Sequence, residues 1–428
     1  MIQVNLLRQH RDDYRARLQK RGWGDDQLQL LDDALAFDDT RKTRQTEMDA
    51  ELATQKQLSK QIGRLMKEGK RDEAESVKQQ VAAAKVKSQA LRDEWQTATD
   101  ELEAVLLQIP NVPHHSVPAG TTEADNEVFQ DWPHALPEMD STAKPHWELA
   151  KTHRLFDLEL GVKITGSGFP VYRGQGARLE RALINFFLDE AAAAGYEEVM
   201  PPLLVNAASA RATGQLPDKE GQMYHAVADD FYLIPTAEVP LTNIYRDEII
   251  DADRLPLKLT GHTPCFRREA GSYGKDVRGL NRVHQFNKVE IVQIAHPEKS
   301  YAVLDEMLEH VKGLLKKLEL PYRILRLCGG DLGFTSALTY DFEVYSAAQR
   351  RWLEVSSVSN FETFQTNRLK LRYRDGKTKA LAHSLNGSAL ALARIVAALL
   401  ENNQTAAGIR LPKVLHPYTG FALITPAE

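Results

Sequence analysis

The sequence predicts an α/β (α+β) protein in two parts: a long antiparallel pair of N-terminal helices, then a mixed domain built on an antiparallel sheet. Three observations predict it. Between Thr40 and Pro110 proline is absent, and only Gly63 and Gly69 interrupt a run rich in Gln, Glu, Lys, Arg, Ala and Leu, a composition that favours long helix. A proline-punctuated stretch from Ile109 to Pro118 separates this run from the remainder. Beyond it, strand-like runs follow an amphipathic helix, and alternation over Asn287 to Ile294 suits antiparallel pairing with one covered face.

The helical run carries a seam at Val77, Val81, Ala84, Ser88, Leu91, Trp95, Ala98, Leu102, Val105 and Ile109. Its steps of four and three are heptad spacing. In the first half Met48, Leu52, Ile62 and Met66 fit the same spacing, with Gln55 and Ser59 between them. Lys67 to Asp72 reads as the turn joining two antiparallel helices, each about 40 residues and so roughly 60 Å long. So thin an arm contributes little core, and its charge supplies a reason for its length. From Lys56 to Arg92 there are ten Lys or Arg against four acidic residues. Lys56, Lys60 and Arg64 share one helical face, as do Lys78 and Lys85, whereas the base is acidic at Asp93, Glu94, Asp100, Glu101 and Glu103. A positive outer half on a chain of net charge −5 suits docking to a phosphate backbone; a solvated coiled coil is the alternative.

Composition narrows the class. The negative total excludes a uniformly basic nucleic-acid coat. Two distant cysteines, Cys265 and Cys328, are too few for a disulfide framework or a cysteine-rich zinc site and fit a reducing cytoplasm. The start of the chain lacks signal or transit character. The most apolar stretch, Ala389 to Leu400, is too short to span a bilayer and contains Arg394. No glycine-rich dinucleotide or P-loop motif and no HExxH is present, and His114 and His115 read as an exposed linker pair. The expected boundaries are 1–108 for the arm, 109–127 for a linker and 128–428 for the mixed α/β domain.

Within that last part, Arg178 to Ala194 reads as a helix with Leu179, Ala182, Leu183, Phe186 and Phe187 on one face and Gly195 at its end. Glu197 to Met200 reads as a strand stopped by Pro201. Further strands are expected over Phe231 to Pro235, Lys258 to Phe266, Val283 to Ala295, Tyr322 to Leu327, Tyr340 to Tyr345 and Arg351 to Ser357. The stretch Pro264 to Glu290 reads as strand, charged loop, strand. It places Arg267 and Glu269 two apart on one face, with Lys275, Arg278 and Arg282 in the loop.

This stretch, with Phe266-Arg-Arg-Glu-Ala-Gly271 and Arg278-Gly-Leu-Asn-Arg-Val-His-Gln-Phe-Asn-Lys-Val-Glu290, resembles motif 2 of the class II aminoacyl-tRNA synthetases in its seryl-tRNA synthetase form. Arg178 to Pro202 resembles motif 1, the dimer-forming helix and strand, and Leu385 to Arg394 resembles motif 3. Ile234 to Leu241 resembles the serine-binding TAE loop. Cys328 to Glu343 and Glu354 to Asn360 are similar to two further family segments, so with the arm the resemblance covers essentially the whole chain. The chain departs from the usual pattern at Gly329, Leu338, Tyr345, Ser346 to Gln349, Val358 and Thr363.

The resemblance implies activation of L-serine by ATP, then transfer to the 3′ end of tRNA-Ser, with tRNA-Sec a further candidate acceptor, by a homodimer without membrane partners. It implies that Arg267 bridges the α-phosphate and the serine carboxylate, and that Arg394 holds the γ-phosphate end. Glu354 and Ser357 would coordinate Mg²⁺, no zinc being expected. Arg268, Glu269, Val283, Val355 and Ser356 complete the implied ATP site; Thr236, Ala237, Glu238, Glu290 and Ser388 complete the serine site. Two anions must meet in this reaction while charge builds on phosphorus, and fixed cations in a dry site answer that need.

Two other readings compete. A paralogue that charges a carrier protein would resemble the catalytic domain but lack the arm. A non-catalytic RNA-binding scaffold would have no use for Arg267, Glu290, Glu354 and Arg394. A threonine enzyme of the same class would need a Cys/His zinc set.

Overall fold

The computed structural model describes residues 1–139, 142–270 and 278–426. The chain divides into two compact units, one of Met1–Gln19 and Trp23–Pro110, the other of Lys20–Gly22 and Asn111–Glu428.

The first unit contains α1 (Val4–Gln9), α2 (Arg11–Gln19), α3 (Asp25–Lys67) and α4 (Arg71–Leu106). The turn between α3 and α4 is Glu68–Lys70, with Gly69 at φ +75°, a left-handed conformation that costs glycine little. On α4 the expected seam is inward: Val77, Ala84, Ser88, Leu91, Ala98 and Leu102 are buried. On α3 the register differs from expectation. Leu52 and Met66 are 38% and 51% exposed, and Leu58, Ile62 and Leu65 pack instead with Ala74 and Val77. The seam keeps Met48, Gln55 and Ile62 but turns one residue earlier between them, through Leu58 and Leu65 rather than Ser59 and Met66; Gln55, common to both registers, satisfies its amide within it, Nε2 donating to Ala84 O at 2.8 Å and to Ser88 Oγ at 2.5 Å. Inter-helix pairs such as Lys87–Glu51 and Arg44–Glu94, both at 2.8 Å, flank it.

The second unit is organised by an eight-stranded sheet. Its strands are β1 (Glu127–Gln130), β2 (Glu197–Glu198), β3 (Leu257–Phe266), β4 (Gln285–Ala295), β5 (Tyr322–Arg326), β6 (Leu338–Ser346), β7 (Arg351–Asn360) and β8 (His383–Ala391). The spatial order is β1-β5-β6-β7-β8-β4-β3-β2. Neighbours are antiparallel except the two-residue β2, which runs parallel to β3. The expected strand at Glu197 to Met200 thus shrinks to two exposed residues.

From Lys288 to Ala295, β4 is buried at every residue, so both its faces are covered rather than one. On one face Val289, Ile291 and Ala295 join a large core with α6 (Gly174–Ala193), α8 (Ser300–Lys317) and α10 (Leu392–Asn402). On the other, Val292 packs with Ala237, Leu241 and Leu259, carried by β3 and α7 (Glu238–Asn243). The remaining helices used below are α5 (His146–His153) and α9 (Phe364–Leu369). The polar members of the alternation, Lys288 and Glu290, are themselves buried as an ion pair on the second face, which is why the sequence pattern understated the cover.

The stretch expected to be a linker is firmly held within this unit. Asn111 Nδ2 donates to Thr335 O and Phe361 O at 2.9 and 2.8 Å. His114 is half-buried, with its ring 4.5 Å from that of Tyr301, so only His115 of that pair is exposed. Three departures from the family pattern also find a packing reason. A Cβ at Gly329 would lie 1.9 Å from Lys20 O. Leu338 is 3% exposed, where a lysine ammonium would lose its hydration. Val358 is fully buried against Gly387. Both cysteines are buried as free thiols, and among the described residues no helix is long and apolar enough to cross a membrane.

Candidate active site

Strand pairing brings together residues far apart in sequence. Glu290 on β4 lies opposite Ser388 on β8, and Val358 on β7 lies opposite Gly387. A hydroxyl joins the strands further along: Ser356 Oγ donates to Ser388 O at 2.6 Å. The start of α7 is laid over this surface.

The first cluster is buried and acidic. Thr236 Oγ1 donates to Glu290 Oε2 at 3.1 Å and accepts the Glu238 N–H at 3.2 Å, so one hydroxyl ties two carboxylate-bearing residues. Gln365, on α9, donates to Glu238 Oε1 at 2.6 Å and is itself held by Ser384 Oγ at 2.7 Å. Lys288 Nζ lies 2.6 Å from Glu290 Oε2. Burial, then the nearby Glu290 charge, pushes the Glu238 carboxyl up to about 7. Burial also raises Glu290, against the pull of Lys288. Ala237 is fully buried and Ser388 nearly so.

Arg267 stands at the edge of this cluster. Its Nε donates to Pro235 O at 3.4 Å, the residue before Thr236, and its guanidinium lies 5.4 Å from the Phe286 ring centre. The Arg267 N–H donates to His284 O at 2.9 Å. Beyond it β3 has ended. Glu269 has φ +48°, so Arg267 and Glu269 do not share a strand face as expected; Glu269 turns to pair with Arg282 at 3.0 Å. The Arg268 N–H donates to Gln222 O. Val283 is buried. Lys275 lies outside the described residues.

The second cluster lines a cavity of about 770 Å³ that includes Asn281, Arg282, Asp341, Glu354, Ser357 and Arg394. Arg394, in the first turn of α10, donates from Nε to Asn281 O at 2.9 Å and from Nη1 to Glu354 O at 2.7 Å. Ser357 Oγ donates to Glu354 Oε1 at 3.4 Å. Val355 and Ser356 are buried, so their side chains do not reach the cavity wall. Asp341 Oδ1 is buried without a hydrogen-bond partner, and burial together with the Glu354 charge raises the Asp341 carboxyl well above its usual range. Such an orphaned, oxygen-only acceptor beside Glu354 and Ser357 fits a hard divalent cation whose remaining ligands come from phosphate or water. Among the described residues no three His, Cys, Asp or Glu side chains are grouped to hold a metal by themselves.

Lys288, Asp341 and Gln365 are not among the site residues the sequence predicts. Lys288 and Asp341 lay inside quoted motifs, and a buried lysine or aspartate beside a glutamate is the signal that could have found them. Gln365 gives no such signal, since only the fold brings α9 to Glu238. In the arm, Lys56, Lys60, Arg64, Lys78 and Lys85 are all exposed; Arg64 pairs with Glu68 at 3.0 Å and Lys78 with Glu75 at 2.8 Å.

Comparison with known proteins agrees along the whole chain. Residues 1–113 match the seryl-tRNA synthetase N-terminal domain, and residues 224–403 match the class II tRNA synthetase core domain (G, H, P, S and T). The chain is 53% identical to the serine–tRNA ligase of Salinibacter ruber over 99% of each. It is 45% identical to that of Prosthecochloris aestuarii over 100% of each. The solved seryl-tRNA synthetase of Pyrococcus horikoshii complexed with ATP superposes with a TM-score of 0.91 at 32% identity, covering 100% of both chains. With its arm, its antiparallel core and these relatives, the chain belongs to the seryl-tRNA synthetase family of class II aminoacyl-tRNA synthetases.

Proposed function

We propose that the chain carries out serine–tRNA ligation at the two clusters described above: L-serine is activated by ATP to seryl-adenylate and pyrophosphate, then passed to tRNA-Ser. The observation that carries the assignment is the Thr236 hydroxyl shared between Glu238 and Glu290. One hydroxyl, bonded to the Glu290 carboxylate and to the Glu238 backbone N–H, holds two buried acidic residues side by side, which supply negative charge for an ammonium and hydrogen-bonding groups for a small hydroxyl. A site built this way rejects alanine, by roughly 10⁴ or more, because its buried polar groups are left without partners.

Serine held there directs its carboxylate toward Arg267, which Pro235 O and the Phe286 ring keep at the pocket edge. A carboxylate oxygen attacks the α-phosphorus; the new C–O–P bond forms as the bond to pyrophosphate breaks. Arg267 stabilises the charge on the α-phosphate and Arg394 the charge at the γ-phosphate end. Mg²⁺ at Glu354 and Ser357 supplies further neutralisation of phosphate oxygens when bound. Glu269 and the backbone near Val283 face adenine; Arg268, Val355 and Ser356 support the ATP site through their backbone. No protein nucleophile is needed, so catalysis is by placement and fixed charge.

The terminal ribose hydroxyl of tRNA then attacks the adenylate carbonyl, releasing AMP. The arm, 1–108, brings tRNA through Lys56, Lys60, Arg64, Lys78 and Lys85, reading backbone and shape rather than base edges. Exposed Met200, Leu203 and Leu204 after α6 supply an apolar surface for a homodimer, and the reduced buried thiols suit the cytoplasm.

Serine-dependent ATP–pyrophosphate exchange tests the assignment. Exchange with serine and far less with alanine, glycine or threonine is expected; equal exchange with alanine would remove the role given to Thr236, Glu238 and Glu290.

A further inference from the structure

A polar chain rooted outside both clusters ends on Arg394. Glu401, on α10, and His146, at the start of α5, are both fully buried. Glu401 Oε1 accepts from His146 Nδ1 at 2.6 Å and from the His146 backbone N–H at 2.8 Å. On the far side of the ring, His146 Nε2 accepts the Leu280 N–H at 2.8 Å. An imidazole nitrogen that accepts there carries no proton, so the ring proton sits on Nδ1 and points at Glu401. Gln349 donates to Glu401 Oε1 at 2.9 Å and accepts from Asn281 Nδ2 at 3.0 Å. Asn281 O in turn receives Arg394 Nε at 2.9 Å. The ring also seats where only glycine fits: a Cβ at Gly279, which has φ +64°, would lie 2.1 Å from His146 Nε2.

We propose that His146, with Glu401 and Gln349, is a positioning residue for ATP: it pins Leu280 and Asn281, and thereby fixes the carbonyl that aims the Arg394 guanidinium. The proposal rests on the reading of Arg394 as the ligand of the γ-phosphate end. The carboxylate fixes the ring tautomer, the tautomer leaves Nε2 free to accept, and the accepted N–H sets the backbone that Arg394 grips. None of His146, Glu401 and Gln349 belongs to the serine cluster, so their effect falls on ATP alone. Ser346, at one of the positions where this chain departs from its family, donates to Glu401 Oε2 and so adds to the same anchor.

The test measures KM for ATP and for serine separately, by pyrophosphate exchange with the full chain. His146→Asn keeps a donor to Glu401 but loses the acceptor at the Nε2 position. It is expected to raise the ATP KM about tenfold, the scale of one lost hydrogen bond, while the serine KM stays unchanged. His146→Gln restores an acceptor near the Nε2 position and is expected to restore the ATP KM. Equal rises in both KM values, a fall in kcat alone, or no rescue by glutamine would overturn the proposal. Should His146→Asn fail to fold, as judged by its thermal transition, Gln349→Met reports instead, and an unchanged ATP KM there overturns it. Arg394→Lys separates the two readings. If it leaves the ATP KM unchanged, the role of Arg394 itself fails; if it raises the ATP KM while His146→Asn does not, only the positioning role fails.

Discussion

Arg394 holds Glu354 at two points: its Nη1 donates to the Glu354 carbonyl oxygen at 2.7 Å and lies 3.5 Å from the same residue's carboxylate. The cation assigned to the phosphate end is therefore also the strut that spaces the carboxylate assigned to Mg²⁺. With Nε on Asn281 O, the planar guanidinium joins the loop of motif 2 to β7, which a point-charge ammonium cannot do.

Arg394→Lys keeps the charge and gives up one of the hydrogen bonds to the Asn281 and Glu354 carbonyls. Hydrogen bonds from a charged group are worth about 1.5–3 kcal/mol, so kcat/KM for ATP is expected to fall roughly ten- to hundredfold, with serine binding preserved. Exchange kinetics with ATP varied at saturating serine check this.

Serine binding should depend on pH through Glu238. Burial and the Glu290 charge raise its carboxyl to about 7, and an ammonium is attracted only by the ionised form. The serine KM is expected to be flat above about pH 8 and to rise about tenfold per pH unit below 7, the slope of a single proton. For folding, the raised acid acts in the opposite sense to a salt-bridged one. Its contribution is fully present below the ordinary 4.5 and is lost as pH rises through about 7. A Glu238→Gln variant is expected to abolish the pH trend at a uniformly high serine KM; an unchanged trend would assign the titration elsewhere.

The arm should matter for the second half-reaction alone. Removing Gln45 to Ala98 and rejoining the helices with a short turn is expected to leave serine-dependent exchange intact while cutting aminoacylation of tRNA-Ser by orders of magnitude. Normal charging by the shortened protein would give the arm another task. In the intact protein, neutralising Lys56, Lys60 and Lys85 should weaken tRNA binding and flatten its salt dependence, by about one in log–log slope for each phosphate no longer neutralised.

Much of the site was legible because its motifs are local. Thr236 and Glu238 sit in one turn, Glu354 and Ser357 in one strand, and antiparallel registers such as Glu290 with Ser388 then gather them. What escaped was set by three-dimensional choice. Two heptad registers were open on α3, and packing of Leu58 and Leu65 against Ala74 and Val77 on α4 decided between them, a contact that spacing alone does not encode. Glu269 was assigned to a strand that ends at Phe266, where a left-handed residue redirects the chain. Gln365, His146 and Glu401 come from segments with no chemical motif, and only their burial beside Glu238 and Leu280 gives them meaning.

Arg267→Ala in serine-dependent ATP–pyrophosphate exchange tests most directly the claim that fixed cations perform the activation. The side chain is partly exposed and its backbone hydrogen bond to His284 O does not depend on it, so the fold and the thermal transition should survive. The account predicts exchange reduced to background in a folded protein. Near-normal exchange would contradict it, because Arg267 is the residue given the task of bridging the serine carboxylate and the α-phosphate.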